Sequence, residues 1–490
     1  MPEYLRALVV ILVLASIVFA FAKKPAIAAA MSATDFVRRR NAWFGITLAG
    51  FLSQNYWVFV AVVSVVIYQA AKKESNPIAF FFFLVLALPQ IKVEIPGFAG
   101  IRYFFAIDYV WVLSAIVLAP VCLKARRLAI ARGDKACLPD KILAAYIVLN
   151  LVLQSQYDVS TNVARSALAW GLDVLIPYYA ISRSVKDVKS FREVLMSFTI
   201  ASMLVSLVGV FEFVRHWILY ASAGTALGVE WEPGYLARGD FLRASATSGQ
   251  SIVLGYVLAI AIGFYLALRQ AVPKRSVYAA GAVLLLAGIV SPLSRGPWVG
   301  LVLLLFVFTL VGKKPVRRLM QYSLIAVPFA VALMFTETGQ KAIDYLPFIG
   351  TVDNENVTYR QNLFDTSFQI ILDNPFFGST DYLLHMEELR QGQGIIDLVN
   401  TYLIVGLNTG FVGLALYVFF FGFILLSTFR RILGTPFCSE TRVLGQTLLA
   451  ALVGALVIIA TVSPIYHVPL LLWSLAGMGL AYSALDRATP

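Results

Sequence analysis

Charge is scarce in this chain. Only 13% of its 490 residues are Asp, Glu, Lys or Arg, against roughly 25% in a soluble globular protein, and that shortage excludes a water-soluble enzyme. Cysteine is scarce as well: Cys122, Cys137 and Cys438 have no metal-ligand spacing and lie beside basic loops, so no disulfide framework is implied. The three histidines, His216, His385 and His467, are too few and too scattered for a zinc site, and no Asp-rich metal loop stands out. No metal and no cofactor are therefore expected. A basic, water-facing domain is also missing, so the formal charge of +12 does not point to nucleic acid.

What the chain has in abundance is apolar sequence: 60% hydrophobic residues and a mean hydropathy of +0.80. These residues fall into about fourteen blocks, among them 5–22, 43–71, 78–91, 104–123, 166–182, 193–219, 400–428, 443–461 and 467–485, many of a length that spans a bilayer. The expected fold is all-α, a polytopic helical bundle of about 12–14 transmembrane helices with a long outer loop of short helices before the last three spans. The first block, Leu5 to Ala22, is followed by Lys23-Lys24 instead of an open cleavage region and is taken as a retained span. Basic clusters such as Arg126/Arg127, Arg183/Lys186, Arg317/Arg318 and Arg430/Arg431 recur at every second loop. By the positive-inside rule they are cytoplasmic, with the C-terminus at Pro490 inside. The +12 is thus a topology signal. Arg38 to Arg40 and Lys72-Lys73 both look cytoplasmic, yet a single block, 43–71, separates them. A hairpin broken near Ser53-Gln54-Asn55 resolves this; the alternative puts Arg38 to Arg40 outside.

The outer segments then include 92–103, 155–165, 220–249, 294–296, 336–399 and 462–466. Segment 336–399 carries ten acidic residues against Lys341, Arg360 and Arg390, a net charge of −7. Arginine on this side runs against the positive-inside rule, so each one needs a reason. The set is Arg102, Arg165, Arg238, Arg243, Arg295, Arg360 and Arg390. A guanidinium matches phosphate with a planar fork and stays charged, and several converging from different loops would hold a pyrophosphate. Arg295 is the sharpest case, because Ser294-Arg295-Gly296-Pro297 leaves a tight turn with almost no polar loop around it. It faces an anion in a cavity, or it snorkels to lipid phosphate. Near Arg243, the hydroxyls of Ser245, Thr247 and Ser248 are placed to cap the following helix. His385, Glu388, Arg390 and Asp397 form the richest acid/base group, with a solvated face as the plain alternative. Asp173 in mid-span, with Asp108 and Glu212 nearer the outer face, would suit an ion relay or simple helix-packing hydrogen bonds.

The order of these motifs resembles the O-antigen ligase and polymerase superfamily. It runs from Arg243 through the Ser-Arg-Gly-Pro-Trp turn at 294–298, Tyr359-Arg360 and Asn374-Pro375-Phe376-Phe377-Gly378 to Asn400-Thr401-Tyr402-Leu403 and Gly410-Phe411-Val412-Gly413. The resemblance covers roughly residues 200–430. It implies a metal-independent inner-membrane glycosyltransferase that takes glycans from undecaprenyl pyrophosphate on the periplasmic side of a bacterial cell. By resemblance Arg243, Arg295 and Arg360 hold the pyrophosphate, with Arg238 and Arg390 as further arginines and Asn400 and Tyr402 at the entrance of the following span. The family often has His just before the Asn-Thr/Ser-Tyr-Leu run where this chain has Val399, so Asp397, His385 or Glu388 would have to act as general base. The division expected is N-terminal helices over 1–200, a catalytic core over 201–430 and C-terminal helices over 431–490. The leading expectation is a repeat-unit polymerase for an exopolysaccharide, capsule or O-antigen, working with a flippase and a chain-length regulator. A ligase to lipid A core or protein, or a transporter or flippase of an anionic or lipid-linked solute, are the alternatives.

Overall fold

Along most helices apolar residues fill whole turns instead of one stripe, as a bundle immersed in hydrocarbon requires. In the helix Val188–Arg215, residues 193–206 are buried on every face. The structure is a computed structural model that describes residues 1–490 apart from 99, 232, 235, 273, 337–353, 391–393, 395, 438 and 486–490. Cys438, Lys341, Pro490 and much of segment 336–399 therefore lie outside the described residues.

The N-terminal half comprises α1 (Glu3–Ala29), α2 (Ala33–Leu52), α3 (Tyr56–Ala71), α4 (Pro77–Leu84), β1 (Val93–Pro96), β2 (Tyr103–Ile107), α5 (Tyr109–Arg132), α6 (Leu138–Gln154), α7 (160–184) and α8 (Val188–Arg215). A short α9 (Ala223–Leu227) and the two-residue strands β3 (Ala237–Arg238) and β4 (Phe241–Leu242) follow. The second half holds α10 (Ser251–Ala267), α11 (Arg275–Val290), α12 (Arg295–Leu310), α13 (Pro315–Met334), α14 (Asn354–Asp373), a 3₁₀ segment Tyr382–Leu389, α15 (Thr401–Leu433), α16 (Glu440–Ile458) and α17 (His467–Ser483).

Five described helices are long and apolar enough to cross a membrane, α1, α5, α8, α15 and the stretch Glu440–Thr461. Shorter apolar helices, α3, α10, α11 and α12, stand with them, and the chain is a multi-pass helical membrane protein. Helix α8 is the central pillar, packed against α1, α4, α10 and α11. Helices α12 and α16 approach closely because Gly300 and Gly454 face each other, so that a Cβ on either would meet the other's carbonyl at 3.1 Å. Small residues that let backbones touch are the usual basis of packing where lipid removes the hydrophobic drive.

The block at 43–71 is two helices. Ser53, Gln54 and Asn55 break it, Gln54 in the left-handed region at φ 51°, and Asn55 caps α3 by accepting from Trp57 N–H at 2.9 Å. Helices α2 and α3 pack side by side as the hairpin alternative requires. Two other blocks need correction. Block 78–91 forms only the eight-residue α4, about 12 Å at 1.5 Å per residue, too short to cross; Pro77 starts it, and Phe80 to Phe83 are all buried. Block 104–123 begins as β2, paired antiparallel with β1, and its helix starts only after Asp108, whose carboxylate accepts from Trp111 N–H at 2.8 Å. A short aromatic run reads alike as strand or buried helix.

Helices α10, α12, α15 and α17 begin at one end of the bundle, here the mouth. At the opposite end Arg39, fully buried, donates to Glu74 at 2.8 Å and to Glu193 at 2.6 Å, and Arg183 donates to Asp140 at 2.6 Å.

Candidate active site at the mouth of the bundle

The turn between α11 and α12 is built by close contacts. Ser291 on one side leaves no room for a Cβ on Gly209 of α8, and Thr461 leaves none on Gly296. Leu293 adopts φ 45°, a strained backbone that persists only where its surroundings over-determine it. They do: Arg238 donates to the Leu293 carbonyl, Arg243 donates through Nε to the Pro292 carbonyl at 3.1 Å and through Nη2 to Ser294 Oγ at 3.0 Å, and Ala244 N–H donates to the Ser291 carbonyl at 3.1 Å. The β3–β4 hairpin thus grips the turn that presents Arg295. Beneath it Glu212, buried, accepts three backbone N–H groups, from Leu219 at 3.0 Å, Ser245 at 3.1 Å and Ala246 at 2.9 Å. Glu212 is an anchor for this loop.

A second element closes over the mouth. Helix α15 breaks at Gly410, whose φ of 60° with ψ of −162° is open essentially to glycine alone. The break frees backbone groups, and the Asn374 to Gly378 motif satisfies them: Phe411 N–H donates to the Pro375 carbonyl at 2.7 Å, Val412 N–H to the Phe376 carbonyl at 3.2 Å, and Ser379 N–H to the Leu407 carbonyl at 2.7 Å. Gly378, at φ 70°, lies against the Leu407 carbonyl and has no room for a Cβ. Two motifs whose glycines, Gly378 and Gly410, are 32 positions apart in the chain are one joint, and it ties α14 to the span below. Tyr359 adds a further tie, donating to the Leu389 carbonyl at 3.1 Å and accepting from Asp397 N–H at 3.2 Å.

Next to Tyr359, Arg360 enters the field of the turn. Removal from water holds its guanidinium below the ordinary value; Asp397 opposes that shift, and the like charges of Arg238 and Arg295 add to it. Burial pushes the Asp397 carboxyl up, and Arg360 partly offsets this. Both side chains still reach solvent. Arg238, Arg295 and Asp397 thus lie within electrostatic range of Arg360, an arrangement complementary to a polyanion with an acid/base group beside it.

The other expected residues fall elsewhere. His385 is exposed, 3.8 Å from Asp381, Glu388 is exposed, and Arg390 pairs with Glu387 at 2.6 Å on the surface; no described contact joins them to the arginines. Asn400 Oδ1 caps α15, accepting from Tyr402 N–H at 2.9 Å and Leu403 N–H at 3.2 Å, and Tyr402 Oη donates to the Leu456 carbonyl at 2.8 Å. Both position the helix. Ser245, Thr247 and Ser248 do not cap α10, whose N-cap is Gln250 without a side-chain hydrogen bond; Thr247 Oγ1 donates instead to the Leu86 carbonyl at 3.0 Å. Arg165 stacks on Tyr103 and donates to the Phe104 carbonyl at 2.9 Å, holding β2.

Residues 280–418 match the family model described as O-antigen ligase. The chain carries a domain of the O-antigen ligase and polymerase superfamily. Its matched part runs from α11 into α15 and takes in Arg295, Arg360, Asp397 and the joint at Gly410, whereas Arg238 and Arg243 precede it. The chain is a membrane enzyme of that ligase and polymerase type, with glycosyltransferase-like activity in general. No curated protein matches the chain. What the sequence alone could not supply were the partners of Arg243 and the bonds from Ser245 and Ala246 to Glu212, because each of these contacts closes a loop of more than thirty residues with no local signal.

Proposed function

We propose that the chain polymerises lipid-linked oligosaccharide repeat units on the periplasmic face of a bacterial inner membrane. The observation that carries this is the convergence of Arg238, Arg295 and Arg360 with Asp397 at the mouth. An undecaprenyl-pyrophosphate-linked glycan lies with its diphosphate against the guanidiniums. An acceptor hydroxyl of a second unit attacks the anomeric carbon from the opposite face, so its configuration inverts. The new C–O bond forms as the bond to pyrophosphate breaks; the hydroxyl proton passes to Asp397, and the lipid diphosphate leaves as an anion. The arginines stabilise the charge that develops on that leaving group, and Asp397 supplies general-base assistance where relatives often have His. Arg295→Ala should abolish chain growth in cells while the amount of protein in the membrane is unchanged. Polymer of normal length in that variant would refute the proposal.

The match to the O-antigen ligase family supports a second reading, transfer of a finished glycan onto lipid A core or protein. Val399 in place of the family's frequent His weighs against it. Deleting the gene separates the two: loss of long polymer marks a polymerase, loss of its attachment alone a ligase.

A further inference from the structure

A cavity of about 270 Å³ lies beside the first two turns of α15, between α6, α7 and α17. None of the arginines described above lines it. At its wall Asp173 occupies a π-helical turn of α7, Trp170–Leu175, and such a bulge re-aims a side chain out of helical register. One Asp173 oxygen accepts from the Trp111 indole N–H at 3.0 Å; the other charged groups in its electrostatic surroundings are Asp108 and Lys92. Asn150 and Asn408 also line the cavity. Their amide nitrogens each donate one hydrogen to their own helix, to the Tyr146 carbonyl at 2.8 Å and the Ile404 carbonyl at 2.9 Å, so each keeps its oxygen and a second N–H for other partners. Aliphatic side chains and four aromatic rings make most of the remaining wall: Trp170, Tyr417 and Trp473 surround Tyr146 with ring centroids 5.5, 5.7 and 6.5 Å from it.

A lipid tail has no use for a carboxylate and two carboxamides, which are costly at membrane depth without a polar occupant. An anion is disfavoured too, since Lys, Arg and His are absent from the described lining. A carboxylate and two carboxamides set among aromatic faces suit a ligand whose hydroxyls both donate and accept around a ring with apolar C–H faces. We propose that this cavity is a saccharide subsite. It holds one sugar ring of the glycan, with its C–H face against Trp170 and Trp473 and hydroxyls donated to Asp173. The cavity adjoins the catalytic mouth because Thr401 and Ile404, just past the Asn400 cap, form part of its wall, and Asp397 lies three residues before that cap. This rests on the reading that the chain transfers glycans.

The test uses purified protein in nanodiscs and the oligosaccharide released by mild acid from the lipid-linked intermediates of the source cell, which has lost its pyrophosphate. Tryptophan fluorescence or saturation-transfer NMR reads binding. Wild type and Arg295→Ala should bind it alike, Asp173→Asn about tenfold more weakly, the size of one charge-assisted hydrogen bond, and Trp111→Phe as wild type. In transfer assays with the intact lipid-linked substrate, Asp173→Asn should raise KM with kcat little changed. Equal affinity in wild type and Asp173→Asn, no binding to wild type, or an equal loss in Trp111→Phe would overturn the subsite. Those results leave the transfer reaction standing if Arg295→Ala still abolishes it. Absence of any glycosyl transfer by the wild-type protein would instead overturn the reaction on which the subsite rests.

Discussion

At the residue scale the mouth divides its arginines between two duties. Arg243 spends its planar fork on the Pro292 carbonyl and Ser294 Oγ, shaping the turn, while Arg360 faces Asp397 and the charges of Arg238 and Arg295. A lysine cannot span two acceptors in that geometry. Arg243→Lys should therefore cost one or two charge-assisted bonds in positioning Arg295, a fall in kcat of about tenfold to a hundredfold, measured as polymer formed per unit of membrane protein. Asp397 gives a pH prediction with a definite sign. A general base must be deprotonated, and burial raises this carboxyl above the usual carboxylate range. Activity should therefore rise with pH through that raised value and then level off. Asp397→Asn should erase the rising limb and slow transfer by about 100-fold to 10,000-fold; an unchanged pH profile of kcat/KM would assign the base elsewhere. His385 and Glu388 belong, with Arg390 and Asp397, to the richest acid/base group of the sequence. In the structure both are exposed on the 3₁₀ segment, with no described contact to Asp397 or Arg360.

At the element scale the distinctive feature is the broken helix α15. A helix interrupted at membrane depth leaves backbone donors and acceptors that lipid cannot satisfy, and here Asn374 to Gly378 satisfies them. Neither motif had a stated purpose in the sequence. Together they show why glycine stands at 378 and 410: both have positive φ, and both press backbone against backbone. Gly410→Ala should cost about 1–3 kcal/mol for the forced conformation alone, with the clash against the Phe376 carbonyl in addition. The expected result is a lower unfolding temperature in detergent and easier proteolysis around α14. A variant as stable as wild type would show that the joint is not needed. The β1–β2 hairpin was illegible for a different reason, since Tyr103-Phe104-Phe105-Ala106-Ile107 is as apolar as the span it precedes, and periodicity cannot separate the two.

At the scale of the whole molecule, charge is sorted between the two ends. The basic clusters and the buried Arg39, Glu74 and Glu193 group lie opposite the mouth. Arg39 also donates to Ser197 at 3.0 Å and so joins the α2–α3 hairpin to the central helix α8. Removing one partner of a buried ionic group leaves the others uncompensated, at a cost of about 3–5 kcal/mol. Arg39→Leu should lower stability by that order, seen as earlier loss of the folded monodisperse protein on heating in detergent, and Glu74→Gln/Glu193→Gln in the same chain should restore part of it. Full stability of the single variant would remove Arg39 from the framework.

The apolar blocks and the basic loops by themselves determined a multi-pass helical bundle, because both signals are local: hydrocarbon demands long apolar helices, and lysine and arginine mark alternate loops. They also isolated Arg295, since a guanidinium in the tight Ser294-Arg295-Gly296-Pro297 turn has almost no polar loop around it. Which arginines meet which carboxylate was decided only by the tertiary structure. Arg243 reaches a carbonyl 49 positions away, and Arg360 comes within electrostatic range of Asp397 only through the folding of α14 over the mouth. Such contacts depend on loop closure and packing, which leave no periodic trace along the chain.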